Sequence, residues 1–225
     1  MTDIVALAEA NQRKAREVIA KLRVVEAWEA VGAEAHLVGS LRTGLLMKHR
    51  DIDFHIYSSP FRLSDSFAAM AALVADPAVK RFEGANLLHT PEACVEWHLW
   101  YDDGGEEWQV DMIHLVKGSR YDGYFERVAE RIEAVITPRQ RETVLRLKYE
   151  TPDDEKIMGI EYYLAVIRDG IADYPAFVQW RKQQPADRII EWIPCPGLFV
   201  RWEQRGNNRG RMSSRRKGYP FAPNY

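Results

Sequence analysis

The run Asp51-Ile52-Asp53-Phe54-His55-Ile56-Tyr57 constrains this chain more than any other stretch. It is rich in β-formers and is stopped by Ser58-Ser59-Pro60, so it reads as a strand. A surface turn or helix cap would also suit paired acids, but Ile52, Phe54, Ile56 and Tyr57 offer no turn residue. On a strand, residues two apart share a side, with Cα atoms roughly 6.5 Å apart. Asp51 and Asp53 therefore present both carboxylates to one spot, while Ile52 and Phe54 face the other way. Converging carboxylates repel unless a cation lies between them, and hard oxygen ligands suit Mg²⁺. Upstream, Val38-Gly39-Ser40 ends an apolar run in a turn whose glycine permits close backbone approach to a phosphate. Phosphate turn and acid pair together outline a metal-dependent phosphoryl-transfer centre.

With 225 residues, 46% of them apolar, the chain can bury a core of one catalytic domain with a helical appendix. No run approaches 18 apolar residues, so no membrane span is expected. Met1-Thr2-Asp3 lacks the basic start and apolar block of a secretion signal. Cys94 and Cys195 are too few for a disulfide framework or a thiolate zinc site, which makes a reducing cytoplasm the expected compartment.

Helical spacing from Ile4 to Trp28 predicts a long first helix, interrupted near Leu22 and ended by Gly32. Ala35–Val38 is a short strand, and Leu41–Arg50 a loop or short helix. After the Asp strand, Ser64-Asp65 is expected to cap an alanine-rich helix. Strand pieces at Val79–Phe82 and Asn86–His89 are expected to bend at Gly84. Cys94–Tyr101 and Glu107–Leu115 flank Asp102-Asp103-Gly104-Gly105, a strong hairpin signal. From Gly118 onward the signals are helical: Tyr121–Ile136, Arg139–Tyr149, Asp153–Arg168 and Pro175–Lys182, with one further turn within Asp187–Ile193. The fold class expected is α+β, a mixed sheet of about five strands flanked by helices, with a C-terminal helical subdomain. The expected division is 1–117 catalytic core, 118–200 helical subdomain and 201–225 basic tail.

Gly39-Ser40, the spacer, Asp51-Ile52-Asp53 and the strand-borne Asp111 resemble the nucleotidyltransferase superfamily of the DNA polymerase β type. Gly39-Ser40 with Gly44 also resembles the GSxxxG of small antibiotic nucleotidyltransferases. The resemblance covers about residues 34 to 115. It implies transfer of a nucleoside monophosphate from an NTP, ATP first among them, to a hydroxyl. It also implies that Asp51, Asp53 and Asp111 bind two Mg²⁺ about 3.5–4 Å apart, with Asp111 the candidate general base. Gly39 and Ser40 would meet the β- and γ-phosphates. Arg42 and Lys48, on the same loop, are either phosphate contacts or solvated cations; the resemblance does not identify them.

Arg50, where relatives often carry a small polar residue, could pair with Asp51 or meet phosphate. Strand alternation puts His55 on the Asp face, either lining a cleft or packed. His98 and His114 lie on the two hairpin arms, where they could face each other. Trp97, Trp100, Tyr101 and Trp108 crowd the same hairpin, mostly as core, with a few available to stack a planar ligand. Between Arg201 and Lys217 seven cations stand against Glu203 alone, a net +6, leaving −8 for the rest of a chain whose total is −2. Such a segment is a solvated end, or it holds a phosphorylated substrate, RNA or the protein's own acidic surface. Three functions remain open at this stage. The first is a transferase acting on a small antibiotic-like or metabolite hydroxyl. The second is the same chemistry on RNA, a tRNA end or a protein side chain. The third is a nucleotide-binding, antitoxin-like module without useful catalysis.

Overall fold

The computed structural model describes residues 2–184 and 190–194. The expected helical turn within Asp187–Ile193 lies partly outside those residues, and the basic segment from Arg201 lies wholly outside them. Helix α1 (Ile4–Leu22) is capped by Asp3, whose carboxylate accepts from the Ala6 amide. Arg23, at φ +56, breaks it from α2 (Val24–Glu29). Strand β1 (Ala33–Val38) follows and turns into the short α3 (Gly39–Arg42). Then come β2 (Asp51–Ser58), α4 (Leu63–Leu73), β3 (Val79–Asn86), β4 (Cys94–Asp102) and β5 (Glu107–Leu115). Helices α5 (Tyr124–Val135), α6 (Pro138–Glu150), α7 (Gly159–Tyr163) with a π-helical turn (Leu164–Arg168), and α8 (Tyr174–Arg181) complete the described chain.

The five strands form one mixed sheet in the order β1-β2-β5-β4-β3. Only β2 and β5 run parallel. The sheet has two unlike faces because its strands alternate. Ile52, Phe54 and Ile56 of β2, Leu99 of β4, and Trp108, Val110 and Met112 of β5 are all buried on one face. They pack in a single cluster with Val18, Leu22 and Trp28 of α1–α2 and Met70 and Leu73 of α4. The opposite face carries Asp51, Asp53 and Asp111. Helices α5 to α8 form a second cluster that includes Leu45, from the loop after α3. Met47, from that loop, packs with Ile4, Ala8 and Leu145, so α1 and α6 brace the segment behind the Gly-Ser turn.

Three local expectations are corrected. Residues 79–86 form one strand rather than two pieces bent at Gly84. That glycine instead makes room for an indole, since a Cβ there would sit 2.5 Å from Cζ3 of Trp97. The residue capping α4 is Arg62, without a side-chain bond, while the Ser64 hydroxyl donates to Asp65 at 3.3 Å. The helix expected from Asp153 starts only at Gly159. The segment before it is anchored by Lys48, which pairs with Asp153 at 2.7 Å and donates to the Thr151 carbonyl.

Candidate active site

Strand register builds the site. Asp53 of β2 lies opposite Asp111 on its parallel neighbour β5, and His98 of β4 lies opposite Asp111 on the other side. Adjacent strands are about 4.8 Å apart, so these three residues form one transverse row on one face. Asp51, Gln109 and Trp100 make the next row. All three aspartates are half-buried.

At the β1 end of the first row, Val38 pairs with Asp53 and the chain turns immediately into α3. Gly39 there has φ +66, a conformation glycine adopts without strain. A Cβ on Gly39 would lie 2.0 Å from Asp53 Oδ2, so glycine is also what lets the turn press against that carboxyl. The Thr43 hydroxyl braces the turn through the carbonyls of Gly39 and Ser40, each at 3.2 Å.

The electrostatics follow from burial and from the crowding of like charges. Burial holds the Asp53 carboxyl well above the usual range, and the charges of Asp51 and Asp111 push it further. Burial also raises Asp51. Against both acts one cation, Lys148 of α6, which favours ionisation of each. Its ammonium is buried, 5.7 and 5.4 Å from the ring centres of Tyr162 and Tyr163. The sequence reading missed Lys148. Its signal was available: with Val144, Leu145 and Leu147 it occupies the buried face of an amphipathic helix, where an unneeded lysine is costly.

The donor set fits a hard divalent cation: three carboxylates on one face, repelling one another, with their charge only partly offset. Among the described residues, no group of three or more His, Cys, Asp or Glu side chains is placed to hold a metal ion. Asp111 is engaged elsewhere. Its Oδ1 contacts His98 Nδ1 at 2.8 Å and accepts from Gln109 Nε2 at 2.9 Å, while Oδ2 receives Gln109 at 3.1 Å.

Other candidates are placed differently from one another. Arg42, at the end of α3, pairs with Glu133 of α5, and Lys48, in the loop after it, with Asp153, so both cations are held by carboxylates of the helical half. Ser40 is buried beside Leu41 within α3. Arg50 pairs with Glu106 at 3.1 Å and not with Asp51. His55 is on the Asp face but packed: it is buried beneath α5, edge-on to Phe125, with Nδ1 3.5 Å from Glu126. His98 and His114 do not meet, because they occupy opposite faces. His114 lies in the core against Trp28 and Phe61 with Nε2 2.8 Å from the Ser58 hydroxyl, and burial pushes it down to about 4. Of the hairpin aromatics, Trp97, Tyr101 and Trp108 are core. Trp100 sits partly exposed on the carboxylate face, with the Arg81 guanidinium 3.5 Å from its ring centre.

A model of the nucleotidyltransferase domain matches residues 19–168. The chain belongs to that family. The match takes in the Gly-Ser turn, all five strands, α5 and α6, and with them every residue of the candidate site. Among solved structures, this nucleotidyltransferase is similar to the Cid1 poly(U) polymerase with MgGTP bound. The two are 19% identical, with a TM-score of 0.50, over 70% of this chain and 49% of that one. A cytoplasmic RNA terminal U-transferase is 18% identical at TM-score 0.46, over 73% and 52% of the respective chains. The non-canonical poly(A) polymerase complex GLD-2–GLD-3 is 11% identical at TM-score 0.48, over 76% and 61%. At these identities the likeness is one of fold, and the chain spans about half the length of the solved structures it matches. No curated protein matches it. No helix among the described residues is long and apolar enough to cross a membrane.

Proposed function

We propose that this nucleotidyltransferase moves a nucleoside monophosphate from an NTP, ATP first among them, to a hydroxyl of a small acceptor such as an antibiotic-like compound or a metabolite. The observation that carries the reading is the Gly39 turn pressed against the Asp53 carboxyl, with Asp111 directly opposite Asp53 one strand away. In it, the backbone at Gly39 and Ser40 meets the β- and γ-phosphates, and the Lys148 ammonium offsets negative charge at the carboxylate face. Asp111 takes the proton of the acceptor hydroxyl. The freed oxygen bonds to the α-phosphorus, the bond from that phosphorus to the β-phosphate oxygen breaks, and pyrophosphate leaves. Asp51, Asp53 and Asp111 would hold Mg²⁺, which supplies positive charge where the carboxylates now repel one another. Arg42 and Lys48 are already paired with Glu133 and Asp153, and any phosphate contact would use their remaining donors.

A second reading, the same chemistry on RNA, is favoured by the +6 segment from Arg201 to Lys217. The experiment is incubation with Mg²⁺, each labelled NTP, and hydroxylated small molecules or oligoribonucleotides, with pyrophosphate release as the readout. Acceptor binding that weakens steeply with salt points to RNA, because phosphate contacts release counterions. A flat response points to the small molecule. No release with any pairing overturns the transferase reading.

A further inference from the structure

His98 is absorbed by none of the roles above, yet among the described residues no side chain contacts Asp51, Asp53 or Asp111 more closely. Register places it directly across β4–β5 from Asp111, on the same face, while Asp53 flanks Asp111 on the other side. The carboxylate of Asp111 is thus set between a like charge and a hydrogen-bond donor. Its two oxygens are not equivalent. Oδ1 takes two donors, His98 Nδ1 at 2.8 Å and Gln109 Nε2 at 2.9 Å, whereas Oδ2 has only the longer 3.1 Å contact from Gln109. Each carboxylate oxygen offers about two lone-pair sites. Oδ1 is therefore filled, and Oδ2 keeps capacity for a cation or a proton.

We propose that His98 is a positioning residue for the transfer reaction: with Gln109 it pins Oδ1 of Asp111 and so leaves Oδ2 as the oxygen presented to the reacting site. This rests on the reading of Asp111 as the reacting carboxylate. The physical basis is torsional. A short acid beside another acid lowers its energy by rotating away from it, and Asp53 stands directly beside Asp111 on this face, where the two repel. A fixed donor on the neighbouring strand removes that freedom before substrate arrives, so no reorganisation is left for the moment of reaction. Both His98 and Gln109 lie on rigid strands of the hairpin, which makes them suitable anchors.

The experiment compares H98A, H98N and H98Q in two assays. The asparagine amide can stand where Nδ1 stands; the glutamine amide reaches the place of Nε2, away from Asp111. In turnover, H98A and H98Q are expected to lose about tenfold or more in kcat with KM for NTP unchanged, since the triphosphate groups are untouched, and H98N is expected to recover most of that loss. In the second assay, Mn²⁺ is titrated into nucleotide-free protein and followed by its paramagnetic resonance. Affinity should fall about tenfold in H98A and H98Q and return in H98N. Should H98A fail to fold, the asparagine–glutamine contrast carries the same test. Equal behaviour of H98N and H98Q in both assays overturns the proposal, as does wild-type kcat and Mn²⁺ affinity in H98A. D111N separates the two layers: if it turns over normally, the role of Asp111 itself fails; if it is inactive while H98A is normal, only the positioning role fails.

Discussion

Replacing Gly39 by alanine tests the join between the phosphate turn and the acid strand. Two costs combine. At φ +66 an alanine backbone is strained by about 1–2 kcal/mol. Its Cβ would also meet Asp53 Oδ2 at 2.0 Å and Cγ at 2.8 Å, so something must retreat by more than 1 Å to reach ordinary contact near 3.4 Å. Overpacking of that kind costs about 1–3 kcal/mol more. Gly32 supplies an internal control, because it has φ +77 and nothing within 4 Å of the added Cβ. G32A should therefore show the backbone cost alone, and G39A about 1–3 kcal/mol beyond it. In a D53A background the excess should largely vanish, a coupling readable from a double-mutant cycle in urea unfolding. Displacing Asp53 by an ångström should also reduce transfer by about 10²-fold. If G39A proves no more destabilising than G32A, the turn does not rest on Asp53 and the reasoning fails.

D53N should abolish transfer yet raise the melting temperature at pH 7. A carboxyl whose folded pKa lies above its unfolded one favours the fold when protonated, and that advantage is lost as pH rises through the folded value; a lower melting temperature in D53N would refute the buried repulsion. His114 has the opposite sign. Its folded value near 4 against 6.5 unfolded means stability is full above about pH 6.5 and drains as pH falls toward 4, by about 3 kcal/mol. Urea midpoints between pH 7 and 4.5 should change less in H114Q than in the wild type. K148M keeps the packed stem but removes the ammonium, so it should raise KM for NTP about tenfold or more with little change in unfolding midpoint; unchanged NTP binding would exclude Lys148 from the donor side.

Much of this molecule is written locally. The hairpin of residues 94–115 follows from alternation on both sides of a glycine pair, and the first long helix from the helical spacing of apolar residues from Ile4 onward. The Asp51–Asp53 strand follows from β-branched and aromatic residues that alternate with the acids. Gly84 misled because a glycine in a strand looks the same from sequence whether it bends the chain or clears space for a ring. Lys148 went unread because no pattern within α6 says which distant group faces its buried side.

Element type, the Gly-Ser turn and the identity of the three acids were therefore decided by residue order, through periods of two and 3.6 that act over a few neighbours. Partnership was not. That β2 lies parallel to β5 and brings Asp53 beside Asp111 required folding segments 58 positions apart onto one another, and the pairing register of the hairpin decided that His98 and His114 part to opposite faces. The same holds for Arg42 and Lys48 finding Glu133 and Asp153. Such contacts depend on how the sheet is ordered and which face each helix covers, and chain entropy leaves many registers open until the core selects one.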